Sequence, residues 1–104
     1  MKNLDKASIS HEETLVRELR EDAEFAAEYL KAAMADEEES AVLLIALRHV
    51  AEAYEMPQVA EMAGIQRESL YRALSPRGNP TLKTLTAVLK AVGLKLSVER
   101  AAHA

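Results

Sequence analysis

The stretch Met56–Leu74, MPQVAEMAGIQRESLYRAL, decides the fold. Its pattern predicts a short helix over 57–63, a tight turn at Gly64 and a second short helix that opens at Gln66 or Arg67 and runs to about Leu74. Pro57 suits a first helical position, because the N–H it lacks would have no partner there. Gly64 stands where the chain must adopt a left-handed backbone, which glycine does at little cost. Ala60 is small where two helices would cross closely, and Val59, Ala63, Ile65, Leu70 and Ala73 fall on a shared core. Gln66, Arg67, Glu68, Ser69, Tyr71 and Arg72 are left facing outward. That is the spacing of a helix-turn-helix, whose second helix enters the DNA major groove.

Upstream of this stretch, residues 1–9 show no period and read as a tail or an edge strand. Ser10-His11-Glu12-Glu13 fits a capping box, with Ser10 as N-cap of a helix that carries Leu15, Val16 and Leu19 on one face. Arg20-Glu21-Asp22 marks a break. Ala26, Tyr29, Leu30, Ala33 and Met34 then recur at helical spacing over 23–34, and Phe25 and Tyr29 stand one turn apart. An acidic linker at 36–40 leads into a helix from about Glu38 to Tyr54. Leu43, Ala46, Leu47, Val50, Ala53 and Tyr54 form one stripe of it, while Val42, Leu44 and Ile45 make its first half apolar nearly all round. Such a helix lies between layers, here between the motif and the N-terminal helices.

Downstream, Ser75-Pro76-Arg77-Gly78-Asn79-Pro80 is a loop. Thr81 caps a helix to about Val92 that turns Leu82, Leu85, Val88, Leu89 and Val92 inward, and Gly93 ends it. Leu94-Lys95-Leu96-Ser97-Val98-Glu99 alternates with period two and reads as a strand, which would need a pairing partner and could help build a dimer.

Composition sets the class. The chain has 104 residues, no cysteine and an abundance of helix formers, so one all-α domain with an appendage is expected, without disulfides or thiol chemistry. No leader-like or membrane-length apolar run occurs, which predicts a cytoplasmic protein, nucleoid-associated when bound to DNA. The net charge of −4 conceals a polarity: residues 1–55 carry six Lys/Arg and fourteen Asp/Glu, residues 56–104 seven and three. The basic half holds the motif and suits phosphates. The acidic half suits a basic partner or simply solvates helix faces. His11, His49 and His103 have no second ligand at metal spacing, and no nucleophile–base pattern or phosphate-cradling glycine loop exists, so neither metal, cofactor nor catalysis is expected.

From Ala60 to Leu94, AEMAGIQRESLYRALSPRGNPTLKTLTAVLKAVGL, the sequence resembles the helix-turn-helix domains of the phage-repressor (Xre/Cro) class, and more closely the probable addiction-module antidote proteins, the HigA-like antitoxins. The run ESLYRALSPRGNPTLKTL is highly specific for the antidote family, and the likeness extends more weakly through EFAAEYLKAAM. Glu55-Met56-Pro57 departs from the family's usual Gly-Met-Ser and changes how the first motif helix is entered. The resemblance implies a lambda-repressor-like bundle: an N-terminal accessory helical segment over 1–36, a DNA-binding domain with its C-terminal strand over 37–99, and a tail over 100–104. It also implies an antitoxin that neutralises a small basic RelE/ParE-type toxin and represses its own operon as a homodimer. Two other readings stay open: a prophage-type repressor without a toxin, and an interaction module that no longer binds DNA.

Residue by residue, Arg67 and Arg72 suit bidentate contact with guanine, and Gln66, Glu68 and Ser69 lie near the helix start where base edges are reached. Glu68 could accept from cytosine or pair with Arg72 at i+4; Tyr71 could meet a thymine methyl or a phosphate, or cover the core edge. Arg77, Asn79, Thr81 and Lys83 border the loop that the resemblance lays along the phosphate backbone. Glu12, Glu13, Glu24 and Glu28 are the expected toxin-binding residues, chosen by charge.

Overall fold

The computed structural model describes residues 2–35 and 39–102, with side chains from His11 onward. Residues 36–38 of the acidic linker and His103 lie outside the described residues. The order is α1 (Lys2–Glu21), α2 (Ala23–Met34), α3 (Ser40–Ala53), α4 (Met56–Ala63), α5 (Arg67–Ala73) and α6 (Leu82–Ala91).

α3 is the centre of the bundle. It packs on α1 and α2 through one side and on α4 through another, and α4 in turn carries α5 and α6. Leu44, Ala46, Leu47, Val50, Ala51 and Ala53 of α3 are all buried. They belong to one continuous apolar cluster that runs from Leu19, Ala26, Leu30 and Ala33 of the N-terminal helices to Val59, Leu70, Leu74, Val88 and Val92. Each fully buried Leu or Val contributes about 1.5–3 kcal/mol. No polar or charged residue is buried among the described residues, so this core has no hydrogen-bonding debt to settle.

Local signals set the helix ends. Asp22 caps α2 by accepting from the Phe25 N–H at 3.0 Å, and Thr81 caps α6 by accepting from the Thr84 N–H at 3.1 Å. Arg20 closes the far end of α3: its Nε donates to the Ala53 carbonyl oxygen at 2.7 Å, satisfying one of the carbonyls the last turn leaves free. α4 and α6 both end in the same reverse turn. Ile65 N–H bonds Ala60 O at 2.9 Å past Gly64 at φ 72°, and Leu94 N–H bonds Leu89 O at 2.8 Å past Gly93 at φ 82°.

Four expectations are corrected. Residues 2–9 are neither tail nor strand but the start of α1, and Ser10 lies inside that helix instead of capping it. No Gly or Pro interrupts residues 2–21, and extending a helix already nucleated adds one hydrogen bond per residue. The stretch 94–99 forms no strand. Leu94 and Leu96 rest half-buried against the core while Lys95 and Ser97 are exposed, so the alternation is real. No neighbouring strand takes up its backbone groups among the described residues. Val98, expected on the same face, is 98% exposed. Leu82, expected inward, is 69% exposed. As the first residue of α6 it leans toward the preceding loop, off the end of the face that meets α4.

Tyr29, His49 and Glu12 tie three helices together. Tyr29 Oη lies 2.9 Å from His49 Nδ1, and His49 Nε2 lies 3.7 Å from a Glu12 carboxylate oxygen. The tautomer protonated on Nε2 serves both contacts, since Nδ1 then accepts from the tyrosine. Phe25 and Tyr29 approach as the spacing predicts, their ring centroids 6.2 Å apart. Burial raises the Tyr29 pKa above its ordinary 10.0.

Two predictions follow from this packing. Glu55, the N-cap of α4, holds φ at 69°, a left-handed value that strains any side-chain-bearing residue. Glu55→Gly removes that strain and loses some chain entropy, for a net gain of about 0.5–1 kcal/mol in urea unfolding. Tyr29→Phe strips His49 Nδ1 of its partner and costs about 1 kcal/mol at neutral pH. Because the raised folded-state pKa keeps Tyr29 stability intact below pH 10.0 and loses it as pH climbs through the folded value, the gap between wild type and Tyr29→Phe should narrow above pH 10.0.

Candidate nucleic-acid interface

α4 and α5 are joined by three residues, Gly64-Ile65-Gln66. α5 has only seven residues, too few to be stable alone, so packing holds it. Leu70 and Leu74, one turn apart, are buried completely or nearly so and fasten one side of the helix to the core. The opposite side is thereby fixed. Gln66, Arg67, Glu68, Tyr71 and Arg72 are exposed and Ser69 is half-buried. All six expected residues of this stretch are thus carried by α5 and its N-cap, none of them buried. Gln66 occupies the N-cap but makes no side-chain capping bond, which leaves its amide available. Glu68 and Arg72 form no ion pair among the described residues, so the i+4 pairing is not made.

The loop after α5 is shaped by close backbone approach. The Gly78 N–H bonds the Ser75 carbonyl oxygen at 2.8 Å, and the Ser75 hydroxyl donates to Arg72 O at 2.8 Å. A Cβ on Gly78 would run into the Ala73 carbonyl and stand 2.8 Å from Arg72 O, so no other residue fits without moving the loop. Folding back in this way, the loop leaves Arg77 and Asn79 exposed, followed by Thr81 and Lys83 at the exposed start of α6. The Thr81 hydroxyl is already committed to Thr84. The first N–H groups of α6 have no acceptor within the helix and are suited to an anion.

One neighbour of this surface escaped sequence reasoning. Arg48 of α3 places its guanidinium carbon 5.2 Å from the centroid of the Tyr71 ring, and its Nε lies 3.4 Å from Glu52 Oε2. Arg48 belongs to a helix read as a buried layer, and only the tertiary fold brings it to Tyr71. Nothing local to residue 48 signals that contact.

The four carboxylates expected to meet a toxin are exposed but divided between helices. Glu12 and Glu13 of α1 line a groove of about 500 Å³ with Arg17, Arg20 and Glu52. Glu24 and Glu28 stand on α2 and do not line it. Among the described residues no group of three or more acidic or histidine side chains is placed to hold a metal ion, and no helix is long and apolar enough to cross a membrane.

The chain is similar to a protein of Haemophilus influenzae, itself uncharacterized, at 46% identity over 63 residues. The alignment covers 61% of this chain and 65% of that relative, a little less than two thirds of the relative's own length. No solved structure matches. The family described as "probable addiction module antidote protein" matches residues 11–100, which takes in everything from the middle of α1 to the segment beyond α6. With well over half of its length matched, the chain belongs to the probable addiction module antidote family.

Proposed function

We propose that this antidote is a HigA-like, Xre/Cro-type DNA-binding antitoxin that neutralises a RelE/ParE-type toxin and represses its own operon, acting as a homodimer. One observation carries the DNA half of the reading. The outward residues of α5 stand on a helix fixed by Leu70 and Leu74, beside an exposed loop and helix start that add Arg77, Asn79 and Lys83. On this reading α4 and α5 are a helix-turn-helix. Arg67 and Arg72 contact base edges with Gln66, Glu68, Ser69 and Tyr71 around them, and Arg77, Asn79, Thr81 and Lys83 follow the phosphates. Two copies related by a two-fold axis would set two α5 helices about 34 Å apart, one turn of DNA. The basic balance of residues 56–104 supports this assignment. The acidic balance of residues 1–55 supports a basic partner on the other half, at Glu12, Glu13, Glu24 and Glu28.

Fluorescence anisotropy with the DNA upstream of the gene tests the first half. Affinity is expected to fall steeply with salt, and Arg67→Ala to weaken binding by about 1–3 kcal/mol. Binding no tighter than to a scrambled duplex overturns it. For the second half, changing Glu12, Glu13, Glu24 and Glu28 together to Lys is expected to abolish capture of the basic product of the neighbouring gene while the DNA isotherm stays in place. Undiminished capture rules out the acidic surface.

A further inference from the structure

We infer that Arg48 is a positioning residue for the DNA-facing surface, acting by holding the Tyr71 ring from the neighbouring helix. This rests on the reading of α5 as the DNA-contacting helix. Tyr71 is 39% exposed on a seven-residue helix, so the neighbours that cover the rest of it set the orientation of its ring. Arg48 is one of these neighbours. Its guanidinium carbon stands 5.2 Å from the ring centroid, within the range in which a cation is attracted to an aromatic face. Arg48 is itself restrained: Glu52 Oε2 lies one turn along α3, 3.4 Å from its Nε. Behind the pair stands the most buried helix of the bundle, with Leu47, Val50 and Ala51 all 1% exposed or less. The cation is therefore mounted on a rigid support, and the stack joins the outward face of α5 directly to α3.

Among the described residues no comparable contact restrains the other outward residues of α5. Arg67, Glu68 and Arg72 make no side-chain hydrogen bond or ion pair within the described residues. Tyr71 is oriented before DNA arrives, so its contact with a base methyl or a phosphate loses little ordering entropy on binding. The guanidinium of Arg48 is occupied by Glu52 on one side and the ring on another, which suits holding a neighbour better than reaching a phosphate.

A double-mutant cycle on the anisotropy assay tests this, using the full chain and the duplex from upstream of its gene. Arg48→Ala and Tyr71→Ala are each expected to weaken binding about three- to fivefold, with the double mutant no weaker than the worse single mutant. Arg48→Lys keeps the cation over the ring and should restore most of the loss. The slope of affinity against salt should be unchanged in Arg48→Ala, because no phosphate contact is removed. A melting curve for each variant separates loss of fold from loss of positioning. Losses that multiply in the double mutant overturn the inference. A salt slope reduced by about one overturns it too, since Arg48 would then touch a phosphate itself. If wild type binds its upstream duplex no better than a scrambled one, the DNA reading fails and this inference with it. Wild-type binding with additive losses removes the inference alone.

Discussion

α3 has apolar residues on more than one side and buries most of them, leaving Ile45 47% exposed. Leu44 and Leu47, with Val50, Ala51 and Ala53, cannot be covered by a single neighbour. α1 and α2 cover one part of its surface and α4 another. Ala46, Ala51 and Ala53 are small, which lets those helices approach closely. The consequence is a single core: Leu19 near the end of α1 and Val88 in α6 are both completely buried in the cluster that α3 connects. Arg20 adds a polar fastening at the end of α3, where its Nε meets the Ala53 carbonyl and keeps the turn into α4 at a fixed distance from α1.

That arrangement places charge as well as apolar surface. The acidic half of the chain supplies α1, α2 and α3, and the basic half supplies α4, α5, α6 and the loop at 75–80. α3 is thus a boundary between a region of net negative charge and one of net positive charge. Neither field cancels the other far from that boundary, because exposed charges more than about 8–10 Å apart are largely screened at physiological salt. Arg48 and Glu52 are an exception to this segregation. They form an ion pair on the boundary helix, with Glu52 also lining the α1 groove and Arg48 reaching α5.

The elements legible in the sequence are those with local causes. Gly64, Gly93, Thr81 and the helical spacing of Ala26, Leu30 and Ala33 each act within one or two turns, and the helices they bound lie where their pattern puts them. What the sequence did not disclose depends on something far along the chain. The length of α1 has no local start signal that outweighs simple propagation from the turn behind it. The alternation at 94–99 speaks of one covered face, and cannot say whether a strand or the side of a bundle covers it. Glu55 stands where the resemblance leads one to expect Gly, and its φ of 69° gives that departure a physical meaning that the letter alone did not carry. The outward residues of α5 were readable because they are the complement of its buried ones. Arg48 was not, because its partner is 23 positions away on another helix.

The chemistry that α5 presents is decided from its buried side. Adjacent residues of a helix are set about 100° apart around the axis, so sliding the apolar pair Leu70 and Leu74 by one position would swing Arg67 and Tyr71 away from the surface they now share. A seven-residue helix has too little stability of its own to resist such a slide. Resistance comes from both ends: the bond from Ile65 N–H to Ala60 O fixes where the helix begins, and Gly78, packed under the Ala73 carbonyl, fixes how the chain leaves it. An alteration at Gly78 touches no outward side chain, yet it would shift the carbonyls of Arg72 and Ala73 and rotate the surface they carry. For so short an element, residues that set its ends and its inner face govern what it can recognise as firmly as the side chains that would make contact.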